Sequence, residues 1–453
     1  MARDRRWSVL ATLATVLVAM APLRRAAAGS HFITIADDGK HFALGGNDYY
    51  VHGFNAHVMM THAASIDGRE KVLGILEDAE LHGFNVLRTW AFNDGYGRWN
   101  SLQLFPGIFD EKVFRALDYV LMRCREHKIR VLLTFINSWD EYGGVRQYVE
   151  WARNQTEGGS YEKIDFYQSL HCRELFKRTV STILERRNVY TGVKYKNDPF
   201  IFGWDLINEP RAENPEALQS WTEEMANFVK SIDRNHLVTS GSEGFFGPST
   251  PSLMAYNPGN WTNDHGVDYV RNHNISAIDF AVFHVYPDTW FDAQDCDMDC
   301  AMAFTSSYIQ AHLDSPLKKP VVLEEVGKQG EGRDAYLEHV LFKIHENHIQ
   351  GGFGAGTMIW QLSPANFSLD SFSITLSNDP TTGRIFKSFG VKVATRMVSM
   401  FQNAAAVIRS LRNRFWSRYV LPLWSGRVQA AAEAPSATTN HHTNQSHASD
   451  KSP

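Results

Sequence analysis

The chain has 453 residues, 43% of them hydrophobic and 12% aromatic, with a formal net charge of −5. That composition supplies a large core, and the mild negative charge gives no basic field for nucleic acid. Length alone does not demand two domains, because α/β barrels run to about 250 residues and beyond as one.

In chain order, the first segment reads as a secretory signal over 1–28. Arg3, Arg5 and Arg6 precede an apolar run over 7–23, and Ala26, Ala27 and Ala28 follow it. An uncleaved anchor is the alternative, since the run reaches the lower limit of about 17 residues for crossing a bilayer. A secreted, extracellular protein is therefore expected. Four cysteines fit an oxidising compartment. Cys296 and Cys300 share an acidic loop and are expected to close it as a disulfide, while Cys124 and Cys172 either pair or are core thiols. Sequons at Asn154, Asn260, Asn274, Asn366 and Asn444 fit a secreted glycoprotein.

Asp37-Asp38-Gly39, between apolar segments at 32–35 and 41–44, marks an N-terminal hairpin. Eight short apolar strands are then predicted at 50–54, 86–90, 131–135, 201–206, 237–240, 280–284, 321–325 and 357–360. Helical stripes separate them: Val72, Ile75, Leu76 and Ala79, stopped by Gly83; Val113, Phe114, Leu117, Val120 and Leu121, behind Asp110; and Leu218, Trp221, Met225, Phe228 and Ile232, opened by Pro215. Apolar strands alternating with amphipathic helices indicate a parallel sheet covered by helices. Eight units favour a closed (β/α)8 TIM barrel, a single catalytic domain over 29–400 whose last helix starts near Asp379. No Gly-rich phosphate loop follows the first strand, which argues against a nucleotide-binding sheet. Residues 401–425 read as a basic amphipathic helix carrying Arg409, Arg412, Arg414 and Arg418. A solvated helix is the preferred reading there, and weak contact with an anionic surface is the alternative. Residues 426–453 are polar and read as a disordered tail.

Catalytic groups of such barrels sit at the C-terminal ends of strands. Strand two ends in Arg88 and Trp90, strand three runs into Asn137 and Trp139, and strand four ends Asn208-Glu209-Pro210-Arg211. Strand six ends with His284 and Tyr286, strand seven with Glu324-Glu325, and strand eight with Trp360. Two carboxylates from different strands suit glycoside hydrolysis, one protonated to serve the leaving oxygen and one ionised. Glu209 is therefore expected to carry a raised pKa, from a partly apolar site and the charge of Glu325. Strand alternation implies that only one of Glu324 and Glu325 points inward, and Glu325 is the better candidate. His284 alone is more often a satisfied core histidine than a catalytic one.

These segments resemble glycoside hydrolase family 5, and within it the plant and fungal endo-β-1,4-mannanases. The likeness spans about 31–400 and rests on LRTWAFNDG at 87–95, WDEYGG at 139–144, WDLINEPR at 204–211, EGFFG at 243–247, HVYPDTW at 284–290 and EVGK at 325–328. The resemblance implies a retaining double displacement with Glu209 as acid/base and Glu325 as nucleophile. It further implies that Asn208 meets the sugar 2-OH, that Arg88 and Tyr286 hold Glu325, that His284 sits by the acid/base and that Trp360 forms a sugar floor. Arg211, Glu243, Trp90, Trp139, Asn137 and Trp290 are expected sugar contacts. Neither cofactor nor metal is expected, and a monomer acting on mannan, glucomannan or galactomannan is. An endo-β-1,4-glucanase of the same barrel clan is the alternative, ahead of an inactive carbohydrate-binding barrel. Two departures stand out. Asn55-Ala56 is followed by His57-Val58 where plant members carry Tyr-Trp, so an aromatic restored at Val58 is expected to tighten binding if that side chain faces the cleft. Ser138 replaces a second Asn.

Overall fold

The structure, a computed structural model, describes residues 31–155, 162–292 and 296–394. The expected signal, the basic helix, the polar tail and Asn444 lie outside the described residues. Among the described residues, eight parallel strands form one nearly closed barrel: β1 (Val51–Asn55), β2 (Val86–Trp90), β3 (Arg130–Thr134), β4 (Ile201–Asp205), β5 (Leu237–Thr239), β6 (Ala281–Val285), β7 (Val321–Val326) and β8 (Gly354–Ile359). All eight predicted strands are present, with ends moved by up to three residues. Every residue of these strands is buried, as expected where one face meets the barrel interior and the other meets helices.

The backbone ladder runs β5-β4-β3-β2-β1-β8-β7-β6. Between β5 and β6 the seam is closed locally. The Asp279 N–H donates to the Val238 carbonyl (2.8 Å), and the Asp279 carboxylate accepts from the Val238 N–H (2.7 Å). The three helical stripes become helices Ile66–Leu81, Glu111–Glu126 and Pro215–Ile232. Ser65, Asp110 and Asn214 cap their first turns by accepting backbone N–H bonds. A final helical stretch runs over 380–394, with Asp379 accepting from the Thr382 N–H at its start.

The N-terminal hairpin gains a third strand and becomes Ile33–Ile35, Phe42–Leu44 and Asn47–Tyr49, all antiparallel. It stops the bottom of the barrel: Ile33, Phe42 and Tyr49 cluster with Phe202, Phe280, Leu132 and Met358. Cys296 and Cys300 form the expected disulfide beside helix Met298–Leu313, whereas Cys124 and Cys172 are buried free thiols. No helix among the described residues is long and apolar enough to cross a membrane.

Strand β7 departs from simple alternation. Leu323 pairs with Phe283 of β6, but the next pair is Glu325 with His284, so Glu324 is an extra residue on β7. The register with β8 shifts over the same stretch. Such a bulge breaks the two-residue side-chain period. Glu324 and Glu325 are consequently both buried on the inside of the barrel mouth, which corrects the expectation that only one of them points inward.

The loop leaving β5 is tightly constrained. Gly241 has φ of +70°, and a Cβ there would lie 2.1 Å from the Ile207 carbonyl oxygen and 2.3 Å from an Asp205 carboxylate oxygen. Gly241→Ala should lose at least about 1–2 kcal/mol from the left-handed backbone alone. Thermal unfolding followed by circular dichroism should therefore show a melting point several degrees lower, at roughly 2–4 °C per kcal/mol. An unchanged melting point would contradict this packing.

Candidate active site

The mouth of the barrel opens into a cleft of about 690 Å³. At its centre Arg88, on β2, is fully buried beneath the cleft surface. Its fork spends every arm. Nε and Nη2 donate to Asp205 Oδ2 (3.0 and 2.8 Å), Nη2 to Asn208 Oδ1 (2.8 Å), and Nη1 to Glu325 Oε1 (2.5 Å) and Asn55 Oδ1 (3.3 Å). Burial alone would weaken the guanidinium's hold on its proton. Glu324, Asp205 and Glu325 outweigh that, and its charge is secure. Asp205 also accepts from Thr134 Oγ1 at 2.7 Å, while burial and the neighbouring Glu324 push it up to about 6.

Glu325 is gripped at both oxygens, since Tyr286 donates its O–H to Oε2 at 2.5 Å opposite Arg88. Burial and the charge of Glu209 raise Glu325 above the usual carboxylate range, while His284, Arg88 and Tyr286 pull it back. Two charge-assisted donors favour its ionised form in this geometry.

Glu209 faces Glu325 across the mouth. Its backbone is in the left-handed region (φ 48°), anchored where its N–H donates to the Gly241 carbonyl at 2.8 Å. That unusual conformation aims the side chain into the cleft. Trp139 Nε1 donates to Glu209 Oε2 (2.6 Å), and His284 Nδ1 lies 2.9 Å from Oε1. One ligand-type atom each from Glu209, His284 and Glu325 lie within 4.8 Å of one another. Burial raises Glu209, but the hydrogen bonds from His284 and Trp139 and the charges of His284 and Arg211 bring it below its ordinary value. His284 is conversely raised to about 10 against burial, by Glu325, Glu209 and Glu324. Glu209 is thus shifted down where an upward shift was expected, because His284 pairs with it and takes the opposing rise.

Two aromatic walls line the cleft. In the first, Arg211 forks onto Glu243 (2.8 and 2.7 Å) and stacks 4.6 Å from the Trp139 ring centre and 5.9 Å from that of Trp261. Burial and Glu209 push Glu243 up to about 7, against Arg211. The WDEYGG turn needs its last glycine, because a Cβ on Gly144 (φ +56°) would sit 1.8 Å from the Trp139 carbonyl oxygen. In the second, the His57 ring lies parallel to Trp360 (4°, 5.7 Å between centres), with Trp90 tilted against both. Asp370 fixes this wall by accepting from Trp360 Nε1 (2.8 Å) and Gln361 Nε2 (2.9 Å), and Gln361 Oε1 pairs with His57 Nδ1 at 2.8 Å.

Of the residues predicted for the site, Glu209, Glu325, Trp90, Asn137, Trp139, Asn208, Arg211, Glu243, Tyr286, Trp290 and Trp360 line the cleft. Asn208 spends its amide on Arg88 and on Asn137 Oδ1 (3.1 Å). Arg88 and His284 are different, being fully buried behind the carboxylates, so they hold the glutamates and do not form the sugar-facing surface. The His57-Val58 expectation also changes. His57 lines the cleft, whereas Val58 is buried at the start of the short helix Met59–Ala63. A tryptophan at 58 would overpack the core and would not extend the wall. Sequence reading missed Glu141, Tyr142, Trp261, Thr289, Asp370, Ser371 and Phe372 as cleft residues, and singled out His57 only together with Val58 as an altered sugar-binding position. His57 and Tyr142 had a signal, since each lies a few residues beyond a strand end or within a recognised motif. Asp370 to Phe372 had none, because they come from a long loop after β8.

Arg88→Lys tests the central fork. An ammonium keeps the charge but cannot meet Asp205, Asn208, Asn55 and Glu325 together. Turnover should fall by about 100-fold, the cost of misplacing a reacting group by about 1 Å. Steady-state kinetics would measure it, and near-normal turnover would mean that the fork is dispensable.

Comparison with known proteins agrees with this geometry. Residues 30–365 match the family model described as GH family 5 beta-mannosidase-like. Mannan endo-1,4-beta-mannosidase 2 of Oryza sativa subsp. japonica is 40% identical over 373 residues, 79% of this chain and 83% of that protein. Mannan endo-1,4-beta-mannosidase 5 of Arabidopsis thaliana is 40% identical over 338 residues, 72% of this chain and 78% of its own. Among solved structures, the endo-beta-1,4-mannanase from Thermotoga petrophila superposes with a TM-score of 0.67 at 29% identity, covering 76% of this chain and 77% of that one. With matched motifs, a barrel of the same kind and two facing glutamates at its mouth, the chain belongs to glycoside hydrolase family 5.

Proposed function

We propose that this protein is a secreted, endo-acting, retaining hydrolase of β-1,4-mannosidic bonds in mannan, glucomannan or galactomannan. The observation that carries the mechanism is the short gap between Glu209 and Glu325, with one oxygen of each within 4.8 Å of the other. Retaining enzymes place their carboxyl groups about 5–5.5 Å apart, whereas inverting ones leave about 6.5–9.5 Å for a water. The choice of mannan is supported by the names of the plant relatives. Secretion is supported by the signal-like residues 1–28.

In the first step a Glu325 oxygen attacks the anomeric carbon, and the bond to the leaving oxygen breaks. The Glu209 carboxyl delivers to that oxygen the proton its pair with His284 holds. Arg88 and Tyr286 keep the attacking carboxylate oriented, so little reorganisation remains at the moment of reaction. In the second step water attacks the same carbon, Glu209 takes the water's proton, and Glu325 leaves as a carboxylate. Two inversions at one carbon return the β-anomer.

Glu325→Ala should lower turnover on mannan by several powers of ten, and azide should restore part of it while forming an α-mannosyl azide. Proton NMR during the first minutes of wild-type hydrolysis should detect the β-anomer first. An initial α-anomer would remove the double displacement. Activity on carboxymethylcellulose well above that on mannan would move the substrate to a glucan.

His57→Ala should raise KM on mannan about fivefold while leaving kcat near its starting value. That corresponds to about 1 kcal/mol for one ring of a stacked aromatic wall. Kinetics on linear mannan check it, and an unchanged KM would place His57 outside the sugar path.

A further inference from the structure

The bulge on β7 leaves inside the barrel a carboxylate that the double displacement does not use. Glu324 is fully buried. Its Oε2 is 3.3 Å from His284 Nε2 and 3.6 Å from Arg88 Nε, and its Oε1 has no hydrogen-bond partner among the described residues. Asn55 Nδ2 donates to its backbone carbonyl at 2.9 Å, fixing the bulge from β1. If Glu324 served only to balance Arg88, it would compete for the guanidinium. Asp205 already takes two N–H bonds from that fork, and Glu324 stays beyond hydrogen-bond reach of it. Its hydrogen bond goes to the imidazole.

His284 therefore bridges two carboxyl groups, Glu324 through Nε2 and Glu209 through Nδ1. We propose that Glu324 is a positioning residue for the acid/base, keeping a proton stored on His284 so that the His284–Glu209 pair stays loaded at neutral and mildly alkaline pH. This rests on the reading of Glu209 as acid/base and deepens it. The stored proton moves from His284 Nδ1 to the Glu209 carboxyl and from there to the leaving oxygen, which takes the electron pair of the breaking glycosidic bond. The imidazole is then neutral, with Nε2–H still donating to Glu324. When water attacks the anomeric carbon and the bond to Glu325 breaks, the water's proton reaches Glu209 and returns to Nδ1. The cycle ends with the protons where they began.

The charged groups around this relay come from every neighbouring strand. They are Arg88 on β2, Asp205 and Glu209 with Arg211 from β4, Glu243 beyond β5, and Glu324 and Glu325 on β7, with the Tyr286 phenol beyond β6. Five carboxyl groups thus face two guanidiniums, a balance that favours an imidazolium between them. Burial works against that charge, yet Glu325, Glu209 and Glu324 hold His284 up to about 10. Its raised value means the proton is present below that pH and lost above it. Removing the Glu324 charge lowers the value, and the pair empties at a lower pH.

The test compares kcat/KM against pH on a manno-oligosaccharide for the wild type, Glu324→Gln and Glu324→Asp. Glu324→Gln keeps the shape and a hydrogen-bonding oxygen but removes the charge. Its alkaline limb should move to lower pH by about one unit or more, while Glu324→Asp keeps the limb near its wild-type position. A limb unmoved in Glu324→Gln, or an equal loss at every pH in both variants, would overturn the proposal. Nitrogen-15 NMR of the His284 ring in the full wild-type chain supplies a second readout that needs neither variant nor substrate. The ring should remain an imidazolium at pH 8, and titration near the ordinary histidine value would overturn the relay. Failure of the mannanase reading would appear instead as absent wild-type cleavage, with the NMR result unaffected.

Discussion

A single guanidinium inside the barrel mouth sets the positions on which the rest of the site depends. Arg88 ties β2 to Asp205 on β4, to Asn208 beyond it, to Asn55 on β1 and to Glu325 on β7. Leaving such a charge buried without partners would cost several kcal/mol, and removing one partner from a buried pair costs about 3–5 kcal/mol. The surrounding carboxylates are equally unfavourable without Arg88. Each group is tolerable only because the others are in place, so strand register at the mouth and the geometry of Glu325 are one constraint. The β7 bulge belongs to it, because without the extra residue Glu324 and Glu325 would not both face inward.

From that centre the two glutamates acquire different surroundings. Glu325 receives one hydrogen bond at each oxygen from groups that do not exchange places with solvent. Glu209 shares its environment with a histidine and an indole at the cleft surface. One carboxylate is thereby clamped between two donors, and the other is paired with a histidine at the cleft surface. Asymmetry of this kind is what a reaction with both an acid and a nucleophile requires. Two aromatic groups line the same cleft, Trp139 with Trp261 around Arg211, and His57 with Trp90 and Trp360.

Much of this was legible in the sequence for a periodic reason. Barrel strands are short apolar runs and the chemistry sits at their ends, so Arg88, Glu209, His284, Glu325 and Trp360 could be picked out by position. The Cys296–Cys300 bridge was legible because four residues of spacing leave few other partners. What failed had a physical cause in each case. Alternation could not place both Glu324 and Glu325 because a bulge is a one-residue event with no composition of its own. The condition set on Val58, that its side chain face the cleft, is not met because the chain turns into a helix two residues after His57, burying Val58. Asp370 and Phe372 reach the cleft from a loop without periodicity. The direction of the Glu209 shift depended on a histidine 75 residues away whose ring orientation only the folded barrel fixes.

The central claim is that Glu325 forms a covalent bond to the sugar while Glu324, its neighbour on the same strand, does not. A 2-deoxy-2-fluoro-β-mannosyl fluoride would form the glycosyl-enzyme quickly and hydrolyse it slowly, since the fluorine destabilises both transition states. Peptide mass spectrometry of the trapped protein should find one added fluoromannosyl group, with fragmentation placing it on Glu325. A label on Glu324 or Glu209, or turnover without any labelled intermediate, would contradict the account.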